Sequence, residues 1–150
     1  MLLAAQCLTT GKAIGVDLWR TQDQSGNSID AARRNAVAEG VADRVQCQTG
    51  DMTDLPLEDD SFDLVVSSLA IHNIAGRAGR EKAIDEAVRV LRPGGRLMIV
   101  DIWATRLYRA RLAELGMSEL TWRKLGWRLW WGGPWASTRL VTATKPNKRS

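Results

Sequence analysis

Short apolar runs separated by amphipathic segments are the feature that most narrows the folds open to this chain. KAIGVDL (12–18), FDLVVSSLAI (62–71) and RLMIVDI (96–102) each suit a strand and are short for a helix. Segments with helical spacing lie between them. This alternation argues for βα units and a largely parallel sheet, an α/β fold.

The intervening pattern fills in the order. Asn27 or Ser28 can cap a helix that runs to about Glu39, where Gly40 stops it. A short strand is predicted at 44–48, and TGDMTDLPLEDDS (49–61) reads as a polar loop. A helix is predicted over 79–91, with Ala83, Ile84, Ala87, Val88 and Leu91 on one face and Asp85 paired to Arg89 on its surface. RPGG (92–95) should end that helix and turn the chain. Thr105 can cap a further helix, with Leu107, Tyr108, Leu112 and Leu115 on its apolar face and Gly116 as its stop. Residues 119–144 alternate like strands and break at GGP (132–134), which predicts an antiparallel pair. With the helical MLLAAQCL in front, the order is α-β-α-β-β-α-β-α-β-β.

Three carboxylates, Asp17, Asp51 and Asp101, fall at predicted strand ends. Ligands of open parallel sheets sit beyond the carboxyl ends of the strands. A carboxylate there accepts hydrogen bonds from ribose hydroxyls or an amine, each contributing about 1.5–3 kcal/mol. One such Asp more often caps a turn. Three that agree with the topology favour a ligand site.

The segments AIGVDLW, GDMTDLPLEDDSFDLVVSSLAIHNI and RVLRPGGRLMIVDI, with their spacing, resemble a class I S-adenosylmethionine-dependent methyltransferase of the small-molecule type. The likeness runs from about Leu2 to Lys145, as one domain over 1–145 with a basic tail at 146–150. It implies a Rossmann-like three-layer α/β/α sandwich, with a mostly parallel sheet that ends in an antiparallel strand pair. It implies S-adenosylmethionine as cofactor and a small-molecule acceptor. By position, Asp17 matches the ribose-binding acid, Leu18 and Trp19 flank the adenine, and Asp51 accepts from its amino group with Met52 at the ring. Ser67, Ser68 and Leu69 match the segment under the methionine part, and His72 and Asn73 face the acceptor.

The resemblance also marks a departure. The family's glycine-rich loop, of G-x-G character, has no counterpart in this sequence. MLLAAQCL matches the helix that follows that loop, so the chain is expected to begin inside the first helix, truncated before it. The missing first strand is the central one. Its absence would leave the edges of 12–18 and 62–67 unpaired or closed on each other, and would weaken cofactor binding by these 150 residues.

His72, the sole histidine, is a candidate general base. It could equally cap its loop, because methyl transfer from a sulfonium depends mainly on in-line positioning. Five of the seven tryptophans lie between Trp122 and Trp135. Most should pack the last strands onto helices; Trp130 and Trp131, beside the Gly-Gly-Pro break, are candidates for an acceptor wall.

Composition limits the rest. No apolar run approaches the roughly 20 residues that cross a bilayer. The two cysteines and single histidine make no recognisable metal site, and a reducing cytoplasmic setting is the default. After Asp101 inclusive, three acidic residues face ten Lys and Arg, read chiefly as solubilising charge; no reading helix or stacking motif points to nucleic acid. Two other functions remain open: a non-catalytic remnant or interaction domain, and a nicotinamide-dependent oxidoreductase in which Asp17 again holds a ribose.

Overall fold

The computed structural model describes residues 1–20, 26–126 and 137–147. The chain divides into two compact units, Met1–Pro56 and Leu57–Ser150.

The first unit contains α1 (Leu2–Cys7), β1 (Ala13–Asp17), α2 (Ile29–Ala38) and β2 (Val45–Thr49). β1 and β2 run parallel, with Ala13 opposite Val45 and Asp17 opposite Thr49. Ser28 caps α2 as expected, its hydroxyl accepting from the Ala31 amide at 3.1 Å. Ala5, Ala36 and Val41 are its buried apolar residues, with Leu2, Ala13 and Val45 packed against them. Arg44 was expected to open β2 and instead lies just before it. Its guanidinium donates to the carbonyls of Ala5 at 3.1 Å and Leu8 at 3.2 Å, satisfying acceptors at the end of α1.

The second unit contains β3 (Phe62–Ser68), a 3-10 turn (Ile71–Asn73), α3 (Gly76–Val90), β4 (Leu91–Asp101), α4 (Thr105–Glu114), β5 (Ser118–Lys124) and β6 (Arg139–Thr144). Its sheet has the order β3-β4-β6-β5. β3 and β4 are parallel, and β6 runs antiparallel to both β4 and β5. The mixed sheet with a terminal antiparallel pair is as expected. Among the described residues β1 pairs with β2 alone and β3 with β4 alone, so each keeps one edge without a strand partner. On β3, Leu64 is 45% exposed and Val66 56%.

Leu97, Ile99 and Asp101 alternate along β4 and are all fully buried. Ile84 and Val90 of α3, Tyr108 and Leu112 of α4, and Val141 of β6 complete the largest part of this core.

Three local expectations are corrected. The RPGG segment makes no separate turn: α3 ends at Val90 and β4 begins at Leu91. The register instead shifts between Phe62 and Leu64, where the extra residues of β4 are absorbed. Gly95 is required there, since a Cβ would lie 2.8 Å from the Arg92 carbonyl and 3.0 Å from that of Phe62. The carbonyls at the end of α3 are satisfied by Lys145, whose ammonium donates to those of Val88 at 2.8 Å and Leu91 at 2.6 Å. Asp85 does not pair with Arg89. It takes a two-pronged bond from Arg111 of α4 at 2.7 and 2.9 Å, because α3 and α4 lie side by side. Arg89 bonds Glu86 and Asp59 instead. Thr105 does not cap α4 either; it is the first helical residue, and Ala104 precedes it in a left-handed conformation at φ 59°. Among the described residues no helix is long and apolar enough to cross a membrane.

Candidate active site

The backbone marks the carboxyl ends of the strands. Trp19 (φ 56°), Leu69 (φ 52°) and Ala104 (φ 59°) are non-glycine residues in the left-handed region, and they follow β1, β3 and β4 respectively. Side chains rarely accept this conformation, and residues held in it concentrate at functional sites.

In the first unit, Asp17 and Asp51 form turns of the same kind. Asp17 Oδ1 accepts from the amide of Trp19 at 2.6 Å, and Asp51 Oδ1 accepts from the amide of Thr53 at 2.8 Å. Each carboxylate thus folds the chain two residues ahead of it. Asn27 also donates to Asp17 Oδ1, at 3.3 Å. Asp17 is exposed, and its Oδ2 has no partner among the described residues. Trp19 is fixed by its indole N–H, which donates to Thr49 Oγ1 of β2 at 3.0 Å, while Leu18 beside it is 39% exposed. Met52 lies in the Asp51 turn and is half-buried. Asp17, Leu18 and Trp19 therefore sit together at the end of β1, and Asp51 and Met52 just past the end of β2. The hollow of about 260 Å³ lined by Arg33, Ala36, Val37 and Cys47 contains none of them.

In the second unit, Ser67 and Ser68 close β3, and the Leu69 amide donates to the Val100 carbonyl at 2.8 Å. The chain then enters the 3-10 turn that carries His72 and Asn73. Asp101, at the end of β4, is fully buried and receives four donors. His72 meets it twice, through its amide to Oδ2 at 3.1 Å and through Nδ1 to Oδ1 at 2.6 Å. The Ile102 amide donates to Oδ1 at 2.8 Å, and the Tyr108 hydroxyl to Oδ2 at 3.2 Å. A buried carboxylate is sustained only by such a set of donors. Burial pushes the Tyr108 phenol up from its ordinary value, the charge of Asp101 and its hydrogen bond add to the rise, and the cation of Arg80 opposes it.

The carboxylate also sets the imidazole. A carboxylate can only accept, so Nδ1–H donates to Asp101, and the lone pair of a neutral imidazole then falls on Nε2. The His72 side chain is 17% exposed. Its ring lies 6.5 Å from that of Trp103, over which the Arg80 guanidinium stacks at 4.3 Å. On the other side of α4, Trp122 donates to Thr105 Oγ1 at 3.0 Å and has Arg139 over its ring at 5.2 Å. Buried Nε atoms of Arg80 and Arg139 have no hydrogen-bond partner among the described residues.

The sequence singled out His72 and Asp101 separately and missed their pairing, along with Tyr108, Trp103 and Arg80. The available signal was a strand-end acid followed one helical turn into α4 by the chain's single tyrosine. Trp130 and Trp131 lie outside the described residues.

Residues 2–99 match a family model described as a methyltransferase domain. The methyltransferase GfsG of Streptomyces halstedii is 42% identical over 78 residues, covering 52% of this chain and 27% of that protein. The demethylmenaquinone methyltransferase of Symbiobacterium thermophilum is 35% identical over 101 residues, 67% of this chain and 37% of that one. The chain thus spans between about a quarter and two-fifths of these curated relatives. Among solved structures, the cyclase SpnF superposes with a TM-score of 0.78 at 19% identity, covering 98% of this chain and 71% of SpnF. Geranyl diphosphate methyltransferase in complex with SAM gives 0.69 at 18% identity, covering 96% and 72%. These likenesses show a shared Rossmann-like fold, which by itself does not fix a reaction.

Proposed function

Because the chain belongs to the class I S-adenosylmethionine-dependent methyltransferase family, we propose that it serves methyl transfer to a small molecule whose receiving atom must first give up a proton. The cofactor, when bound, supplies a methyl group on a cationic sulfur that is already activated toward a nucleophile. The residues of the chain fit it. The exposed Asp17 carboxylate keeps Oδ2 without a partner among the described residues, as a ribose-binding acid requires. In this reading Asp17 takes the ribose hydroxyls, Leu18 and Trp19 flank the adenine, and Asp51 accepts from its amino group with Met52 at the ring. In the second unit Ser67, Ser68 and Leu69 support the methionine part.

The observation that carries the reading is the His72–Asp101 pair at 2.6 Å. Asp101 holds Nδ1–H, so Nε2 takes the proton that leaves an acceptor hydroxyl or an activated C–H. The imidazolium so formed is offset by the carboxylate, which keeps its own charge. Tyr108 acts through Asp101, which its hydroxyl helps hold in place. Asn73, next in the turn, faces the acceptor in the same reading.

The relatives' names make a demethylmenaquinone-type quinol the first acceptor to test. Labelled methyl transfer from S-adenosylmethionine by the full chain is expected. His72→Gln should lower turnover by about 10²–10⁴-fold, with cofactor affinity unchanged. Turnover that survives His72→Gln would remove the base from this account.

A further inference from the structure

We propose that Arg80 is an oxyanion-binding residue, and that the small molecule held beside His72 carries a carboxylate. This rests on the reading above only in treating that molecule as the methyl acceptor, and it favours an acceptor with a carboxylate over the neutral quinol that the relatives' names suggest.

The inference starts from an imbalance among the arginines of α3. Arg77 and Arg89 are each paired with carboxylates, at 2.6–2.7 Å. Arg80, one turn along α3 from Arg77, makes no hydrogen bond or ion pair to any described residue, and its Nε is buried without a partner. A buried donor left unmade is costly, so such a group is a candidate for a ligand's acceptor.

Its geometry suits that use. The guanidinium lies over Trp103 at 4.3 Å. The cation–π contact holds the guanidinium against Trp103 and leaves its N–H groups without a partner among the described residues, available to a planar carboxylate. Trp103 is 48% exposed, so one side of this stack opens to solvent. The same indole stands 6.5 Å from the His72 ring, which places the free cation and the proton acceptor on one aromatic platform.

The competing explanation is that Arg80 merely balances the buried charge of Asp101. Asp101 needs no help from it. Four donors already occupy both of its oxygens, and Arg80 is not among them. Arg80 does oppose the rise of the Tyr108 phenol. A lysine there would supply the same charge, whereas a guanidinium offers the planar fork that a carboxylate can meet with two bonds.

The test uses the full chain labelled with nitrogen-15 and no methyl donor. The Arg80 Nε–Hε signal, assigned through its own side chain, is followed as sodium benzoate or the neutral isostere benzamide is added. Benzoate should shift the signal saturably and benzamide should not. Arg80→Lys, which keeps the charge and loses the fork, should weaken benzoate binding by at least about tenfold. Equal responses to the two probes, no response to benzoate, or undiminished binding by Arg80→Lys would overturn the proposal. Should Arg80→Lys fail to fold, the comparison of benzoate with benzamide on the parent chain decides alone. Benzoate binding in a chain that transfers no methyl group would leave this proposal standing and remove the function. Transfer to a neutral quinol without any benzoate response would do the reverse.

Discussion

The two units handle their strand-end acids in opposite ways. In Met1–Pro56, Asp17 is exposed, and it and Asp51 each accept from the amide two residues ahead, Asp17 also from the Asn27 side chain and Asp51 also from the Thr53 hydroxyl. In Leu57–Ser150, Asp101 is fully buried and gathers donors from the 3-10 turn, the end of β4 and α4. The cores differ in the same sense. The first unit buries Ala5, Ala36 and Val41, while the second buries Ile84, Leu91, Leu97, Ile99, Tyr108, Leu112 and Val141 among others. Apolar burial scales with the size of the side chains removed from water, so the first unit draws far less stability from its interior. The difference teaches where binding and folding can be separated. An acid that shapes only its own turn can be changed at little structural cost; an acid that ties three elements together cannot.

The largest expected effect lies at Asp101. Asp101→Ala strands four donors in a buried site and should destabilise the second unit by about 3–5 kcal/mol, measured by chemical denaturation. A loss as small as that of a surface change would contradict its structural role. Next, Ile99→Ala should cost about 2–5 kcal/mol. Val41→Ala removes less buried volume and should cost less. Equal losses would erase the contrast between the cores.

Tyr108→Phe keeps the ring and removes one hydrogen bond, a cost of about 1 kcal/mol. It also has a pH signature. The folded-state phenol is raised above its unfolded value, so its contribution is full below about pH 10 and is lost as pH rises toward the folded value. Alkaline unfolding of the parent chain should therefore steepen above that pH, and Tyr108→Phe should flatten it. The smallest effect on stability is expected at the exposed Asp17. Asp17→Asn keeps an acceptor for the Trp19 amide and should change stability by no more than about 0.5 kcal/mol.

Much of this was legible in the sequence because it is local. The strands of KAIGVDL and RLMIVDI, the Ser28 cap and the acids at the ends of β1 and β4 follow from period, capping and turn chemistry within a few residues. What was hidden depends on elements far apart in the chain. The His72–Asp101 pair joins residues 29 positions apart, and Lys145 caps α3 across more than 50. RPGG reads as a turn from its own residues, yet pairing with β3 extends β4 back to Leu91 and the register shift takes up the difference. Asp85 shows the same limit: its helix neighbour Arg89 was in reach, but packing of α4 brought Arg111 closer.

The proposal's central claim is that Asp17 binds the ribose of the methyl donor, while His72 moves the proton and does not bind the donor. Calorimetric titration of S-adenosylmethionine into the parent chain, Asp17→Ala and His72→Gln tests it most directly. Loss of the ribose acid should weaken donor binding by about tenfold or more, and loss of the imidazole should leave it unchanged. Donor binding that is untouched by Asp17→Ala, or lost equally in His72→Gln, would contradict the account.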